Sequence, residues 1–187
     1  MSVKKKTQAI LDELSYNLRF VEEESFGPLL DHIMAAGHIF TAGAGRSGIA
    51  MRAFTNRLMH LGLSVSAVGE ITSPHTAPGD LLLIGSGSGE TESLVAMARK
   101  AKKNGVQIAL VTMDDQSTLA GLADSVVVLP GVSPKVRHHG TAISSFQPMG
   151  NAFEQMCFLV YDAVVMELME KMGETSDSMF ARHADLE

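Results

Sequence analysis

A strand that runs into a glycine-rich turn is the feature that most constrains this fold. Residues 81–84 are wholly apolar, and Gly85-Ser86-Gly87-Ser88-Gly89-Glu90-Thr91 follows them. Glycines let backbone amides converge at the start of a helix, where free N–H groups bind anions. The turn has no lysine in the arrangement of a nucleotide-binding P-loop, so it predicts a site for a single phosphate monoester.

Strand and helix signals alternate along the chain. Short apolar runs predict buried strands at 38–42, 64–68, 81–85, 107–112 and 125–129. Helices are predicted between them at 47–60, 91–104 and 117–122. This repeat predicts an α/β fold with a doubly wound, five-stranded parallel sheet flanked by helices in three layers, with ligands at the carboxyl ends of the strands.

The regions that flank the repeat are helical. Near the N-terminus, Leu11, Leu14, Leu18 and Val21 form a narrow apolar seam that packs either on another subunit or on the chain's own sheet. Residues 151–172 predict a long apolar helix, central to the core or buried between subunits. We expect a single domain over 1–187 with an N-terminal helix and a C-terminal helical tail.

Composition excludes several classes of protein. A net charge of -6 and one short basic run at 4–6 predict no nucleic-acid partner. No apolar run approaches the ~20 residues that cross a bilayer, and no signal peptide is recognised, so we expect a cytoplasmic protein without a membrane partner. Cys157 lies in an apolar helical pattern, which predicts a buried free thiol.

The turn after the first strand offers an alternative. Gly43, Gly45 and Gly48 fit the dinucleotide fingerprint, and Glu70 stands where a ribose-binding acid is sought, although its spacing exceeds the usual ~20 residues. Arg46 in this turn, the second hydroxyl-rich turn and the lack of room for a substrate domain favour a sugar phosphate over NAD. We therefore expect no cofactor.

For the phosphate, the sequence offers the hydroxyls of Ser86, Ser88 and Thr91 and the amides of Gly87 and Gly89. The first turn adds Gly45, Arg46 and Ser47. Ordinary helix capping explains any one of these hydroxyls, but four of them at one sheet edge favour a binding site. Glu70 and His75, in the loop 69–80, are candidates for the wall of this pocket.

The motif at 85–91 is similar to the mark of the SIS (sugar isomerase) domain proteins. Three further stretches, 43–48, 147–155 and 179–187, resemble the 6-phospho-3-hexuloisomerases within that family. The resemblance implies interconversion of D-arabino-hex-3-ulose 6-phosphate and fructose 6-phosphate, a step of formaldehyde fixation in the ribulose monophosphate pathway. It also implies a homotetramer that needs no metal.

Moving a carbonyl along a sugar requires a base that takes the proton α to it and returns that proton to the adjacent carbon. Glu154 shares a helix face with Phe158, Tyr161 and Val165, and a partly desolvated carboxylate suits this task. Alternatively, Asn151 and Glu154 have the spacing of a capping box. The resemblance favours the base.

His183, in a polar segment after Gly173, is the second catalytic candidate, serving its own site or that of a neighbouring subunit. The alternative is a solvated terminal histidine. His138 and His139 are adjacent rather than at ligand spacing, so no metal site is expected.

The sequence thus predicts an isomerase that acts on a phosphorylated ketohexose through an enediolate. Two alternatives stay open. One is a SIS module that senses sugar phosphates without catalysis, and the other is an aldose–ketose isomerase for another substrate such as arabinose 5-phosphate.

Overall fold

The computed structural model describes residues 2–136 and 143–186. Its strands are β1 (Ile39–Gly43), β2 (Val65–Ala67), β3 (Leu81–Gly85), β4 (Gln107–Thr112) and β5 (Ser125–Val128). They form one parallel sheet in the order β2-β1-β3-β4-β5, which confirms the predicted α/β class. The chain turns from one side of the sheet to the other between β1 and β3, and in such sheets ligands bind at the carboxyl ends of these two strands.

Helices cover both faces of the sheet. They are α1 (Val3–Leu18), α2 (Phe26–Ala35), α3 (Gly45–His60), α4 (Glu92–Lys103), α5 (Asn151–Met172) and α6 (Ser176–Phe180). Apolar side chains of α1, α2, α3 and α5 pack on one face of the sheet, and α4 packs on the other. Cys157 lies in the first of these two cores, as predicted.

One helical prediction was wrong, and one helix was missed. Only a 3-10 turn, Ala120–Leu122, forms within the predicted helix 117–122, because the hydroxyl of Ser117 donates to the Asp114 carbonyl and accepts from the Ala120 amide. Helix α2 was not predicted, since Gly27 and Pro28 obscure its start, yet proline is tolerated in a first helical turn.

The N-terminal seam is only partly buried. Helix α1 ends at Leu18, so Val21 lies beyond it. Leu14 enters the core, whereas Leu11 and Leu18 are each more than half exposed, at 53% and 56%. The sheet of the same chain therefore does not cover this seam. In the described part of the chain, no helix has both the length and the apolar character required to span a membrane.

The start of α3 lies against the end of β1 through a contact between backbones. A Cβ atom added at Gly48 would lie 2.7 Å from the carbonyl oxygen of Gly43, and one added at Gly43 would lie 2.8 Å from the Cα of Gly48. Neither backbone can yield to a methyl group without moving the turn. The two glycines thus fix where α3 begins relative to the sheet.

The substitution Gly48→Ala is therefore expected to lower the free energy of unfolding by about 1–3 kcal/mol through overpacking. Gly27→Ala in α2 is the matched control, because a Cβ there meets nothing within 4 Å. It should leave stability unchanged or raise it by up to about 1 kcal/mol. Urea unfolding followed by circular dichroism measures both, and equal effects of the two variants would contradict the contact.

Candidate functional site

A cavity of about 380 Å³ opens at the carboxyl ends of β1 and β3. It brings together most of the residues that the sequence singled out. These are Gly45, Arg46, Ser47, Ser86, Gly87, Ser88, Thr91 and Glu154. Residues that are far apart in the chain meet here because parallel strands end at the same edge of the sheet.

Three helices begin at this cavity. Its wall includes the residues that precede α3, α4 and α5, namely Ala44, Thr91 and Gly150. None of the three caps its helix with a side-chain hydrogen bond. The free N–H groups of each first turn carry a partial positive charge, so the three starts together favour an anion.

The hydroxyls at the cavity are largely unengaged. The Ser88 hydroxyl accepts a hydrogen bond of 3.3 Å from the Glu90 amide. Those of Ser47, Ser86 and Thr91 form no hydrogen bond with any residue in 2–136 or 143–186, and Thr91 does not cap α4 with its side chain. Helix capping therefore does not account for these side chains, and they are available to a ligand.

Two glycines of the turn have different roles. A Cβ at Gly87 would lie 2.7 Å from the Met113 side chain and 3.1 Å from that of Phe153, so the turn lies flat on the apolar floor of the cavity. Gly89 is buried and does not line the cavity. Its φ of +62° and the nearby Ser117 hydroxyl, 2.0 Å from an added Cβ, require glycine. Gly89 thus determines the conformation of the turn without lining the cavity.

Glu154 stands in the first turn of α5 with a side chain that is 18% exposed. Its carboxylate accepts a hydrogen bond from the Nε of Arg46, and the two form an ion pair across the mouth of the cavity. The capping-box alternative was wrong, because Gly150 rather than Asn151 is the N-cap and no side-chain cap is present. The Glu154 carboxylate therefore lines the cavity and does not cap the helix.

Several lining residues were not anticipated. Ser133 and Lys135 reach the cavity from the loop after β5, and Met113, Met149 and Phe153 supply apolar surface. Met149 has a φ of 55°, a strained value for a residue with a side chain, and such strain concentrates at functional sites. The loop could have been found by applying the carboxyl-edge rule to the last strand as well as to the first and third.

His183 lies elsewhere in its own chain. Its ring stacks on that of His60, with 5.2 Å between centroids, and the neighbouring Arg182 donates to the His60 carbonyl at 2.9 Å. His60 ends α3, whose first residue lines the cavity. At 1.5 Å per residue, the two ends of this helix are about 22 Å apart. The tail therefore contacts its own chain at the end of α3 away from the cavity, where His183 is exposed.

The other sequence candidates are also separate from this site. Glu70 does not line the cavity, and His75 lines a different cavity of about 310 Å³ beside α4. His138 and His139 lie outside the described residues. Within the described ranges, no group of three or more His, Cys, Asp or Glu side chains is placed to hold a metal ion.

Burial shifts the pKa of two side chains, that of Cys157 in α5 and that of His60 at the end of α3. It raises the pKa of the Cys157 thiol to about 12, with smaller influences from Tyr161 and Glu154, so the thiol stays protonated at neutral pH. The pKa of His60 is lowered by burial first, then by the charges of Arg57 and His183. The folded state therefore favours neutral His60, chiefly because this side chain is buried.

Comparison with known proteins identifies the family that this sequence matches. The model of the SIS domain family matches residues 32–164. A 3-hexulose-6-phosphate isomerase of Bacillus subtilis is 47% identical over 95% of each chain, and one of Mycobacterium gastri is 42% identical over 95% of this chain and 88% of its own. A solved structure of a hypothetical protein from Methanococcus jannaschii infers for it a function of 3-hexulose-6-phosphate isomerase. It aligns with a TM-score of 0.82 at 31% identity and covers 98% of this chain and 99% of that one.

The environment of His60 predicts a pH dependence of stability. Its pKa is lower in the folded state than the unfolded value of about 6.5, so the unfolded chain binds more protons at mildly acidic pH. The free energy of unfolding should therefore be fully retained above about pH 6.5 and should fall as the pH drops below it. Around His60 the charged and titratable groups are Arg57, His183 and the Arg182–Glu174 pair.

Urea unfolding between about pH 5 and 7.5 measures this dependence. His60→Gln should flatten the acid slope, because its side chain has no proton to gain. His75→Gln, at an exposed position, should keep the wild-type slope. An unchanged slope in His60→Gln would contradict this source of acid sensitivity.

Proposed function

This chain belongs to the SIS domain family and is an isomerase, and we propose that it interconverts D-arabino-hex-3-ulose 6-phosphate and fructose 6-phosphate through an enediolate. The observation that carries the proposal is that a cradle for an anion and one carboxylate among the described residues, that of Glu154, face one cavity. The Bacillus subtilis and Mycobacterium gastri relatives, 47% and 42% identical to this chain, bear the name 3-hexulose-6-phosphate isomerase, which supports the choice of substrate.

The cradle suits the phosphate end of the substrate. The amides at the starts of α3 and α4 and the hydroxyls of Ser47, Ser86, Ser88 and Thr91 provide neutral donors for phosphate oxygens. The apolar floor of Met113 and Phe153 excludes water from the same side. With the phosphate fixed, the carbon chain extends toward the start of α5, where Glu154 stands.

Glu154 acts as the base in this proposal. Its carboxylate takes the proton from C2 of the 3-ketose while the C3 carbonyl gains the electron pair, which gives an enediolate across C2 and C3. The carboxyl group exchanges its proton with solvent and then delivers a proton to C3 as the carbonyl forms at C2. The guanidinium of Arg46, beside the carboxylate, provides hydrogen-bond donors for the negative oxygen of the intermediate.

A proton must also pass between the oxygens on C2 and C3, and we propose that His183 carries it in the site of a neighbouring subunit. An imidazole exchanges protons near neutral pH. Within its own chain, the ring lies beside His60 at the far end of α3, too distant to touch a ligand in the cavity. An assembly in which the tail faces a second chain's cavity meets this need.

The biological setting is part of the proposal. The resemblance to 6-phospho-3-hexuloisomerases supports a homotetramer in the cytoplasm that works without metal in formaldehyde fixation by the ribulose monophosphate pathway. A sensor that binds sugar phosphate would need the cradle but not Glu154. Deuterium incorporation into carbon-bound positions of fructose 6-phosphate in deuterated water separates the two functions, because binding alone exchanges no carbon-bound proton.

The substitution Glu154→Gln is expected to lower kcat at least ~100-fold with KM nearly unchanged, because the amide fits the same space but accepts no proton. Glu167→Gln is the matched control on the exposed face of the same helix, where Glu167 pairs with Lys171. Steady-state kinetics with fructose 6-phosphate measure both variants. Near-normal turnover in Glu154→Gln would remove Glu154 from the reaction.

The placement of His183 predicts complementation between inactive subunits. His183→Gln and Glu154→Gln should each be nearly inactive alone. Subunits of the two variants that are unfolded together and refolded as mixed oligomers should regain activity, because some sites then combine an intact Glu154 with an intact His183 from the other chain. No recovery in mixed oligomers, with both variants shown to assemble, would indicate that the two residues do not meet across subunits.

A further inference from the structure

The cavity contains a second cation besides Arg46. Among residues 2–136 and 143–186, the charged side chains that line it are those of Arg46, Glu154 and Lys135. Arg46 is paired with Glu154. Among the residues that the structure describes, no carboxylate lies at ion-pair distance from the Lys135 ammonium. The charge of Lys135 is therefore free for a ligand as far as the described chain is concerned.

The loop that carries Lys135 is held against the floor of the cavity. A Cβ added at Gly131 would lie 2.7 Å from the sulfur of Met113 and 2.9 Å from the Cβ of Phe153, so the chain after β5 packs directly on these two side chains. Both of them line the cavity. The start of the loop is therefore fixed by close packing.

The other end of the loop is anchored as well. Val136 is 8% exposed, and its amide donates to the Ser133 carbonyl at 3.1 Å. The Lys135 amide donates to the Ser133 hydroxyl at 3.3 Å. With Val136 in the interior, the exposed Lys135 side chain is presented at the cavity wall. A short turn anchored at both ends therefore holds Lys135 at the cavity wall.

The negative charge of the proposed substrate favours a cation in the cavity. A phosphate monoester carries about −1.5 to −2 charges at neutral pH. The cradle of amides and hydroxyls supplies partial charges only, and the Arg46 guanidinium already faces the Glu154 carboxylate. A full positive charge at the cavity wall that has no described carboxylate partner would balance the dianion.

We propose that the Lys135 ammonium binds the phosphate group of the substrate and so selects phosphorylated over unphosphorylated ketoses. The assignment rests on the proposed function. An ammonium has three donors and no acceptor, and it matches a phosphate as a mobile point charge rather than by a fixed geometry. Lys135 takes no part in the proton transfers, which belong to Glu154 and the imidazole.

Lys135→Met tests this role, because methionine keeps much of the stem and removes the charge. We expect the KM for fructose 6-phosphate and the Kd for inorganic phosphate, measured by calorimetry, to rise about 10- to 100-fold together, as for loss of a charged hydrogen bond. The kcat should stay within about threefold. Lys135→Arg, which retains the charge, should restore most of both affinities.

Lys103→Met is the control, since Lys103 is exposed at the end of α4 opposite to the cavity. It should keep wild-type KM, Kd and kcat. Unchanged phosphate affinity in Lys135→Met would overturn the assignment. A fall in kcat with unchanged KM would also overturn it, because that pattern places the ammonium at the reacting carbons.

Failure of the proposed function has a different signature. A wild-type protein that binds inorganic phosphate but converts no hexulose phosphate would contradict the isomerase substrate alone. The calorimetric comparison of wild type, Lys135→Met and Lys103→Met would still decide the role of Lys135. Equal phosphate affinity in all three proteins would reject that role whatever the reaction is.

Discussion

The site depends on how closely two backbones approach each other at the end of the sheet. Gly43 and Gly48 touch without side chains between them, and the Gly43 Cβ position also lies 3.2 Å from the Gly85 carbonyl. This approach brings the turn after β1 beside the turn after β3. The starts of α3 and α4 consequently point their free amides at the same volume. A bulkier residue at either glycine would separate the two halves of the anion cradle.

Three converging helix starts create a positive field, and the protein places one carboxylate within it. Glu154 is held there by Arg46 rather than by capping its own helix. In the proposed function, the same arrangement would stabilise both the phosphate and the Glu154 carboxylate, because both are negative groups beside N-terminal helix turns. The phosphate dianion and the carboxylate would repel each other at close range, so a cation between or beside them is a physical requirement. Among the described residues, Arg46 and Lys135 are the cations that line this cavity.

The sequence predicted the parts of the fold in which local signals and burial agree. Strands β3 and β4 and helix α5 have the predicted bounds, since their apolar runs end at glycine or polar residues. The glycine-rich turn after β3 was also recognisable, because glycines and hydroxyls mark it in a contiguous stretch. Lys135 was missed because nothing in its local sequence shows that Gly131 packs on Met113 and Phe153. Helix α2 was missed because a proline disfavours a helix unless it lies in the first turn. The structure places Pro28 there.

The position of His183 is the basis of the proposed assembly, because the C-terminal tail lies away from the cavity of its own chain. Arg182 binds the His60 carbonyl and Glu174, which places the tail at the end of α3 that faces away from the chain's own cavity. Helix α5, which carries Glu154, exposes Phe158, Leu159 and Met166 by 42%, 55% and 65%. An apolar stripe next to a site of this kind favours contact with another copy of the chain. Such a contact would cover α5 and give the tail of one subunit access to the cavity of another, which is what the proposed assembly requires.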